Sequence, residues 1–340
     1  MATRPSRSPS TSLPLAAALL ALAGTSCVPA RILGGNVATL FDTPAPVPDK
    51  VREPYRPEAR LAVLWVGHAT TLVQIDDKFI LTDPVFTSTV GVIVKRLVEP
   101  GLDPEDLPPV DAVLISHMHL DHLSLGSLSL IERKVRALFV PEGGLVYVPN
   151  YTFDTVEVPI WTTWQEDDLK ITAVPVRHSG YRYGLDRDWM TASFTGYVVE
   201  YHGITVYFGG DTAYDRAMFR ETRARFPAID LAILPIAPIT PRDFMTTKHI
   251  DPAEAVQAFL DLGARRMLAV HFDTFINSTD TVGEAPRELR RVMAARGLGP
   301  DRVVLLRHGG QRVLIGRGDP RGAAASGERD VRAAGVPAPR

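Results

Sequence analysis

Short apolar runs separated by polar turns cover most of the chain between residues 59 and 318. Runs of this length, rich in β-branched and aromatic residues, predict strands buried on at least one face. The predicted strands are residues 61–66, 70–75, 79–81, 112–116, 137–140, 169–176, 193–200, 204–208, 231–235, 266–270 and 303–306. Short polar turns join 70–75 to 79–81 and 193–200 to 204–208, so both of these pairs are predicted hairpins.

Three segments between these strands predict helices. The clearest begins at Asp251, where Pro252 takes the first helical position and Glu254 completes a capping box, and it ends at Gly263. The others are about ten residues from Ala213 onwards and residues 284–296. Because strands alternate with helices, the pattern predicts one α/β (α+β) domain over residues 59–318.

The two ends of the chain differ from this body. Residues 1–27 combine basic residues, a short apolar run and small residues before Cys27, as secretory and lipoprotein signal peptides do. Residues 28–58 are rich in proline and predict an extended tether, whereas residues 319–340 predict a disordered tail. We therefore expect a bacterial cell-envelope protein, either periplasmic or attached to the membrane through a lipidated Cys27.

Two connections are long enough to contribute to a binding site. Residues 87–109 carry an apolar patch at 90–94 followed by Lys95 and Arg96. This pattern favours a helix packed on the core over a lid whose apolar tip meets a membrane interface or an acyl chain. Residues 181–192 are aromatic and charged, follow directly after His178, and are a candidate pocket wall.

Composition and charge narrow the class of protein. The 340 residues are 45% hydrophobic and 22% charged, which is ordinary for a globular chain with a sizeable core. A net charge of −2 leaves no strongly basic field to hold phosphates, so we expect no nucleic-acid partner. Cys27 is the only cysteine, so no internal disulfide can form and any metal ligands in the body must be imidazoles and carboxylates.

Side chains that bind transition metals cluster where predicted strands end. A His-x-His-x-Asp-His sequence follows strand 112–116 at once, and a single histidine or aspartate follows three later strands. The seven residues are His117, His119, Asp121, His122, His178, Asp211 and His271. They are enough for two metal sites and suit two Zn²⁺ ions, although Mn²⁺ or Fe²⁺ would also be accepted. Asp211 could instead cap the helix that follows it.

Two more residues at strand ends bear on this site. Asp83, in a Thr-Asp-Pro sequence after strand 79–81, either orients a metal ligand or caps a turn. His68 follows strand 61–66 and is expected to support the site or the fold rather than to react.

In their order and spacing, the seven residues resemble the metallo-β-lactamase superfamily. The likeness covers roughly residues 60–310 and implies a four-layer αββα sandwich, with two mixed sheets face to face and helices outside. By this resemblance one zinc would be held by His117, His119 and His178. The other would be held by Asp121, His122 and His271, and Asp211 would bridge the two. The chain departs from one large class of true β-lactamases, which place a cysteine in the second site.

Further motifs look like the N-acylphosphatidylethanolamine-hydrolysing phospholipase D family and its sister group, the ascorbate-6-phosphate lactonase-like proteins. They are Trp-Val-Gly-His-Ala-Thr at 65–70, Thr-Asp-Pro-Val-Phe at 82–86, Gly-Gly-Asp-Thr-Ala-Tyr at 209–214, Pro-Arg-Asp-Phe-Met at 241–245, and His-Ile-Asp-Pro-Ala-Glu at 249–254. In the phospholipase group, a histidine at the place of His249 contacts the substrate near the metals.

The resemblance implies a binuclear metal-dependent hydrolase. We expect a zinc phosphodiesterase of the phospholipase D type, acting on a phospholipid-like substrate through a metal-bridging hydroxide. Asp121 and His249 would be its catalytic residues, with His249 donating to a phosphate oxygen or to the leaving group. Two alternatives stay open: a lactonase or other carboxylic-ester hydrolase of the same fold, and a non-catalytic metal-binding envelope lipoprotein.

Overall fold

The structure is a computed structural model that describes residues 28–91 and 93–319. Its strands are, in chain order, β1 (Ala59–Gly67), β2 (Thr70–Ile75), β3 (Lys78–Thr82), β4 (Thr89–Val90), β5 (Val94–Lys95), β6 (Val110–Leu114), β7 (Val135–Pro141), β8 (Asp154–Val158), β9 (Thr163–Glu166), β10 (Leu169–Val174), β11 (Gly196–Tyr201), β12 (Ile204–Phe208), β13 (Leu231–Pro235), β14 (Arg266–Val270), β15 (Val303–Val304) and β16 (Gln311–Gly316). Its α-helices are α1 (Val28–Thr39), α2 (Leu125–Ile131), α3 (Arg216–Arg225), α4 (Arg242–Met245), α5 (Pro252–Leu262) and α6 (Glu284–Ala295).

Two mixed sheets pack face to face. The strand order is β16-β1-β2-β3-β6-β7-β8 in the first sheet and β15-β14-β13-β12-β11-β10-β9 in the second. The main apolar core contains the inner faces of both sheets and buried residues of α3, α5 and α6. Helix α2 packs into a second core on the outer side of the first sheet. This arrangement confirms the predicted single-domain αββα sandwich.

All eleven predicted strands are present, and the strands of the two seven-stranded sheets that the sequence pattern missed have a common property. β8, β9 and β16 were not predicted, and each is the edge strand of a sheet. Most of their residues are half-buried or exposed. An edge strand that faces solvent needs no continuous apolar run, so apolar patterning cannot reveal it.

The helix starts show which aspartates are caps. Asp251 caps α5 by accepting from the Glu254 amide at 2.9 Å, and the Glu254 side chain accepts in return from the Asp251 amide at 3.3 Å. Gly263 ends the helix in the left-handed region with φ +64°. The cap of α3 is Asp215, which accepts from the Met218 amide at 3.1 Å. Asp211 is therefore not used as a cap.

The prediction of an extended segment over residues 28–58 is wrong for its first part, because residues 28–39 form α1. Pro29 lies in the first turn, where a helix tolerates proline, and the prolines of the segment from Pro44 onwards follow the helix. The segment also packs on the body. The buried Asn36 amide donates to the Ile276 carbonyl at 2.8 Å, and Lys50 pairs with Asp103 at 2.8 Å.

The helix favoured for residues 87–109 is also not found, because this segment contains the β4–β5 hairpin and a 3₁₀ turn (Pro104–Asp106). Gly91, in the hairpin turn, has a φ of +58°, and Val90 is buried against Val85 and Phe275. The hairpin reaches the histidine loop (residues 116–122), because Val94 and Leu120 pack on the same small cluster.

The remaining predictions for the chain ends fall outside the described residues. These are the signal peptide over 1–27, including Cys27, and residues 320–340 of the tail. Among the helices that the structure describes, none has the length and apolar character needed to cross a bilayer.

Candidate metal centre

The structure brings all seven predicted ligand-type residues to one place between the two sheets. They arrive on the segments that follow β6, β10, β12 and β14, and His68 and His249 join them. Their ligand atoms form four overlapping groups whose members lie within 4.8 Å of one another: His68, Asp121, His122 and His271; His117, His119 and His178; His117, His122 and Asp211; and His178, Asp211 and His249.

The imidazoles of His117, His119 and His178 are oriented by partners outside their group. His119 Nδ1 lies 2.7 Å from His117 Nε2 and 3.4 Å from His178 Nε2. The other ring nitrogen of His178 lies 3.0 Å from the carbonyl of Lys248, and that of His117 lies 2.9 Å from the Ser116 hydroxyl. A ring that donates from Nδ1 to a carbonyl must leave its Nε2 lone pair facing inward, as metal-bound histidines do.

The imidazoles of His122 and His271 are oriented in the same way, by partners on their outer nitrogens. His122 Nε2 lies 3.3 Å from His271 Nε2, and their outer nitrogens meet Asp83 at 2.6 Å and the Ala237 carbonyl at 3.1 Å respectively. Asp83 also accepts from the Ser116 amide at 2.7 Å. Its carboxylate therefore contacts both His122 and the start of the histidine loop.

His68 supports this group from a strained position. The residue is buried with φ +53°, and its amide donates to the Thr274 hydroxyl at 2.7 Å. Its Nε2 lies 3.0 Å from Asp121 Oδ2. This contact orients the Asp121 carboxylate.

Asp211 lies between the two groups. Its Oδ1 is 3.1 Å from His271 Nε2, and its Oδ2 is 3.4 Å from His122 Nε2 and 4.0 Å from His178 Nε2. Gly210, with φ +54°, permits this approach, because a Cβ there would lie 2.2 Å from Ser116 Cβ. The carboxylate thus faces both sets of imidazoles.

The donor set fits metal cations. Ring nitrogens that face one another at 3.3–3.4 Å can bind one cation between them. Two nitrogen ligands of one tetrahedral zinc lie about 3.3 Å apart, given Zn–N distances of about 2.0–2.1 Å. In addition, Oδ1 of the buried Asp211 makes no hydrogen bond among the described residues. The cluster can therefore bind metal ions, and the assignment of each ligand to one of two zinc ions stays a prediction.

Burial and mutual proximity shift the pKa values of this cluster. Burial lowers the pKa of His68 to about 3 and of His119 and His249 to about 4. Burial acts to raise the pKa of Asp211, but His271 and His122 outweigh it and hold the value well below the usual range. Burial acts against the charged form of His122, but Asp211, Asp121 and Asp83 raise its pKa. Most imidazoles are therefore neutral at pH 7, which metal binding requires.

The metal-free protein is expected to lose stability as the pH falls from about 7.5 to about 5. Unfolded histidines take up protons near pH 6.5, whereas His68, His119 and His249 remain neutral in the fold to about pH 4. The unfolded state then binds more protons, and each such group costs about 2 kcal/mol over this range. The raised pKa of His122 offsets part of this loss. Urea unfolding of chelator-treated protein at both pH values tests this predicted loss of stability, and equal free energies of unfolding would contradict the prediction.

The loop that follows His178 forms one wall of the site, as predicted. The Tyr181 ring lies 5.0 Å from the His119 ring, and the buried Arg182 guanidinium donates to the carbonyls of Met118 at 3.0 Å and Leu123 at 2.9 Å. Arg182 therefore holds the histidine loop in place. Lys248 Nζ lies 3.3 Å from the Tyr181 hydroxyl. The sequence analysis did not identify these roles, because no local pattern links residues so far apart in the chain.

Comparisons with known proteins agree with this geometry. A family model described as a beta-lactamase superfamily domain matches residues 78–272. The chain is 31% identical over 276 residues to N-acyl-phosphatidylethanolamine-hydrolyzing phospholipase D 1 of Caenorhabditis elegans. The aligned region covers 76% of this chain and 76% of the relative. It is 26% identical over 255 residues to a metal-dependent hydrolase of Pyrococcus furiosus, covering 73% of this chain and 96% of the other. The solved structure of an isothiocyanate hydrolase from Delia radicum gut bacteria has the same fold, with a TM-score of 0.58, 19% identity and coverage of 74% and 98%.

Proposed function

Because this chain belongs to the beta-lactamase superfamily and is a metal-dependent hydrolase, we propose that it is a zinc phosphodiesterase of the phospholipase D type. Its substrate would be a phospholipid-like diester. The supporting observation is the 31% identity to an N-acyl-phosphatidylethanolamine-hydrolyzing phospholipase D, which extends over 76% of both chains. An envelope location, predicted from residues 1–27, would place the protein beside such a substrate.

The residues of the centre suit attack by water on an anionic phosphate. When bound, two divalent cations supply an acidified water and positive charge for the entering and leaving oxygens of an in-line displacement. One ion would be held by His117, His119 and His178. The other would be held by Asp121, His122 and His271, with Asp211 shared between them.

Asp121 is positioned to orient the attacking water. Its side chain is 27% exposed, and its Oδ2 is fixed by the contact with His68 Nε2 at 3.0 Å. The pKa of Asp121 lies well below its usual range, since burial, which acts to raise it, is outweighed by His122 and His68. The carboxylate is therefore ionised at neutral pH and can accept a hydrogen bond from water.

His249 is positioned to act on the leaving side. Its side chain is 14% exposed, and its Nδ1 lies 3.5 Å from Asp211 Oδ2 without a hydrogen-bond partner among the described residues. The His249 amide donates to the Met245 carbonyl at 2.8 Å, which fixes the backbone. We propose that the N–H of the neutral His249 imidazole donates a hydrogen bond to a non-bridging phosphate oxygen or to the oxygen of the departing alcohol.

A substrate panel on metal-replete protein tests this function. The panel contains N-acyl phosphatidylethanolamine, bis-p-nitrophenyl phosphate, a homoserine lactone and p-nitrophenyl acetate. We expect kcat/KM for the phosphodiesters to exceed that for the carboxylic esters by at least about tenfold, a difference of about 1.4 kcal/mol in transition-state stabilisation.

Product analysis makes this experiment specific. Hydrolysis of N-acyl phosphatidylethanolamine in isotopically labelled water should yield phosphatidic acid that carries the label on phosphorus, together with N-acylethanolamine. Faster turnover of the lactone would instead support the lactonase alternative. Absence of turnover across the panel, with metal bound, would support a protein that only binds metal.

A further inference from the structure

Two cations converge on one tyrosine at the edge of the metal centre. Lys248 Nζ lies 5.4 Å from the centre of the Tyr181 ring and 3.3 Å from its hydroxyl. The Arg187 guanidinium carbon lies 5.1 Å from the same ring centre. Both positive charges therefore lie near the same neutral phenol.

Within residues 28–91 and 93–319, neither Lys248 nor Arg187 forms an ion pair. Both cations lie near the same ring, and an anion bound beside that ring would be attracted by each of them.

The position of these residues connects them with the centre. The Tyr181 ring is 5.0 Å from His119, and the carbonyl of Lys248 lies 3.0 Å from His178 Nδ1. Tyr181 and the Lys248 side chain are half-buried, whereas Arg187 is exposed. The group therefore lies beside the centre and is partly open to solvent.

We propose that Tyr181, Arg187 and Lys248 form a subsite for a second oxyanion, a phosphate or carboxylate, beside the group held at the metal centre. This proposal rests on the proposed phosphodiesterase function. The two cations supply charge-assisted hydrogen bonds, and the tyrosine hydroxyl adds a neutral donor. The oxyanion is either part of the substrate or a free anion such as inorganic phosphate, and the experiment separates these sources.

Two matched lipids test whether the oxyanion is part of the substrate. N-glutaryl phosphatidylethanolamine ends in a carboxylate, whereas N-pentanoyl phosphatidylethanolamine ends in a methyl group. We expect wild-type protein to prefer the glutaryl lipid by about tenfold in kcat/KM, the effect of one charge-assisted hydrogen bond. Lys248→Gln, which keeps the backbone carbonyl near His178, should bring the ratio close to one.

Calorimetric titration with inorganic phosphate tests the second source without turnover. In metal-loaded protein, Lys248→Gln and Arg187→Gln should each weaken phosphate binding by about tenfold. Lys170→Gln is the control, because Lys170 is exposed and lies at the end of β10 remote from His178. It should change neither readout.

The outcomes are distinct. A lipid preference that Lys248→Gln removes identifies a substrate group, and weaker phosphate binding without a lipid preference identifies a free anion. If Lys248→Gln alters neither quantity, the subsite is disproved. If wild-type protein cleaves no diester, the proposed function fails, but the phosphate titration still decides whether the subsite exists.

Discussion

Replacing Asp211 with alanine is expected to remove bound metal and to lower kcat/KM by at least about 10³-fold, or about 4 kcal/mol. The carboxylate is within 3.1–4.0 Å of the inward nitrogens of His271, His122 and His178. Without it, the centre loses the one buried anion that faces both imidazole groups. Metal stoichiometry by elemental analysis and steady-state kinetics on the preferred phosphodiester measure the two effects.

The matched control for this experiment is Asp215→Ala. Asp215 lies four residues further along the same segment and caps α3 through the Met218 amide. Its loss should cost about 1 kcal/mol of stability, as the loss of a helix cap usually does, but it should leave metal content unchanged. Asp211→Asn separates charge from shape, because the amide keeps the size of the side chain. Wild-type metal content and activity in Asp211→Ala would refute the assignment of this centre.

Replacing His249 with alanine is expected to lower kcat by about 10²-fold while metal content stays at the wild-type value. The imidazole lies beside the centre, at 3.5 Å from Asp211 Oδ2, and its Nδ1 has no hydrogen-bond partner among the described residues. A group that donates to the phosphate or to the leaving alcohol acts mainly in the transition state, so kcat should change more than KM.

The leaving group makes the His249 experiment decisive. A substrate with an acidic leaving group, such as p-nitrophenol, needs less stabilisation of its departing oxygen, so His249→Ala should reduce its turnover less than that of an alkyl diester. His202→Ala is the control, because His202 lies in the half-exposed turn between β11 and β12. Loss of metal from His249→Ala would instead make this residue a ligand, and equal effects on both substrates would argue against a hydrogen bond from His249 to the leaving oxygen.

Strands with two buried faces could be predicted from the sequence because their apolar runs leave little choice of environment. β13 and β14 are examples, since every residue from Leu231 to Pro235 is buried and only Arg266 of β14 is not. The hairpin at residues 89–95 could not be predicted in this way. Its apolar residues pack on Phe275, nearly two hundred residues away, and a short apolar patch fits a helix equally well until that partner is known.

The residues of the centre could also be predicted from local features of the sequence, although the features differ. His117, His119 and His122 lie within six positions, so their spacing alone indicated a metal site, and Asp211, His178 and His271 were found because each follows an apolar strand. These are local properties of the chain, and they are visible without coordinates.

Only the tertiary structure decided how the centre is held and what surrounds it. Asp83 contacts His122, the carbonyl of Lys248 meets His178, and Arg182 anchors the histidine loop. These contacts join residues 39, 70 and 64 positions apart, and each depends on how the two sheets and their loops pack. A sequence records which side chains follow which strands, but hydrogen-bond partners and the convergence of Lys248 and Arg187 on Tyr181 follow from distances that exist only after folding.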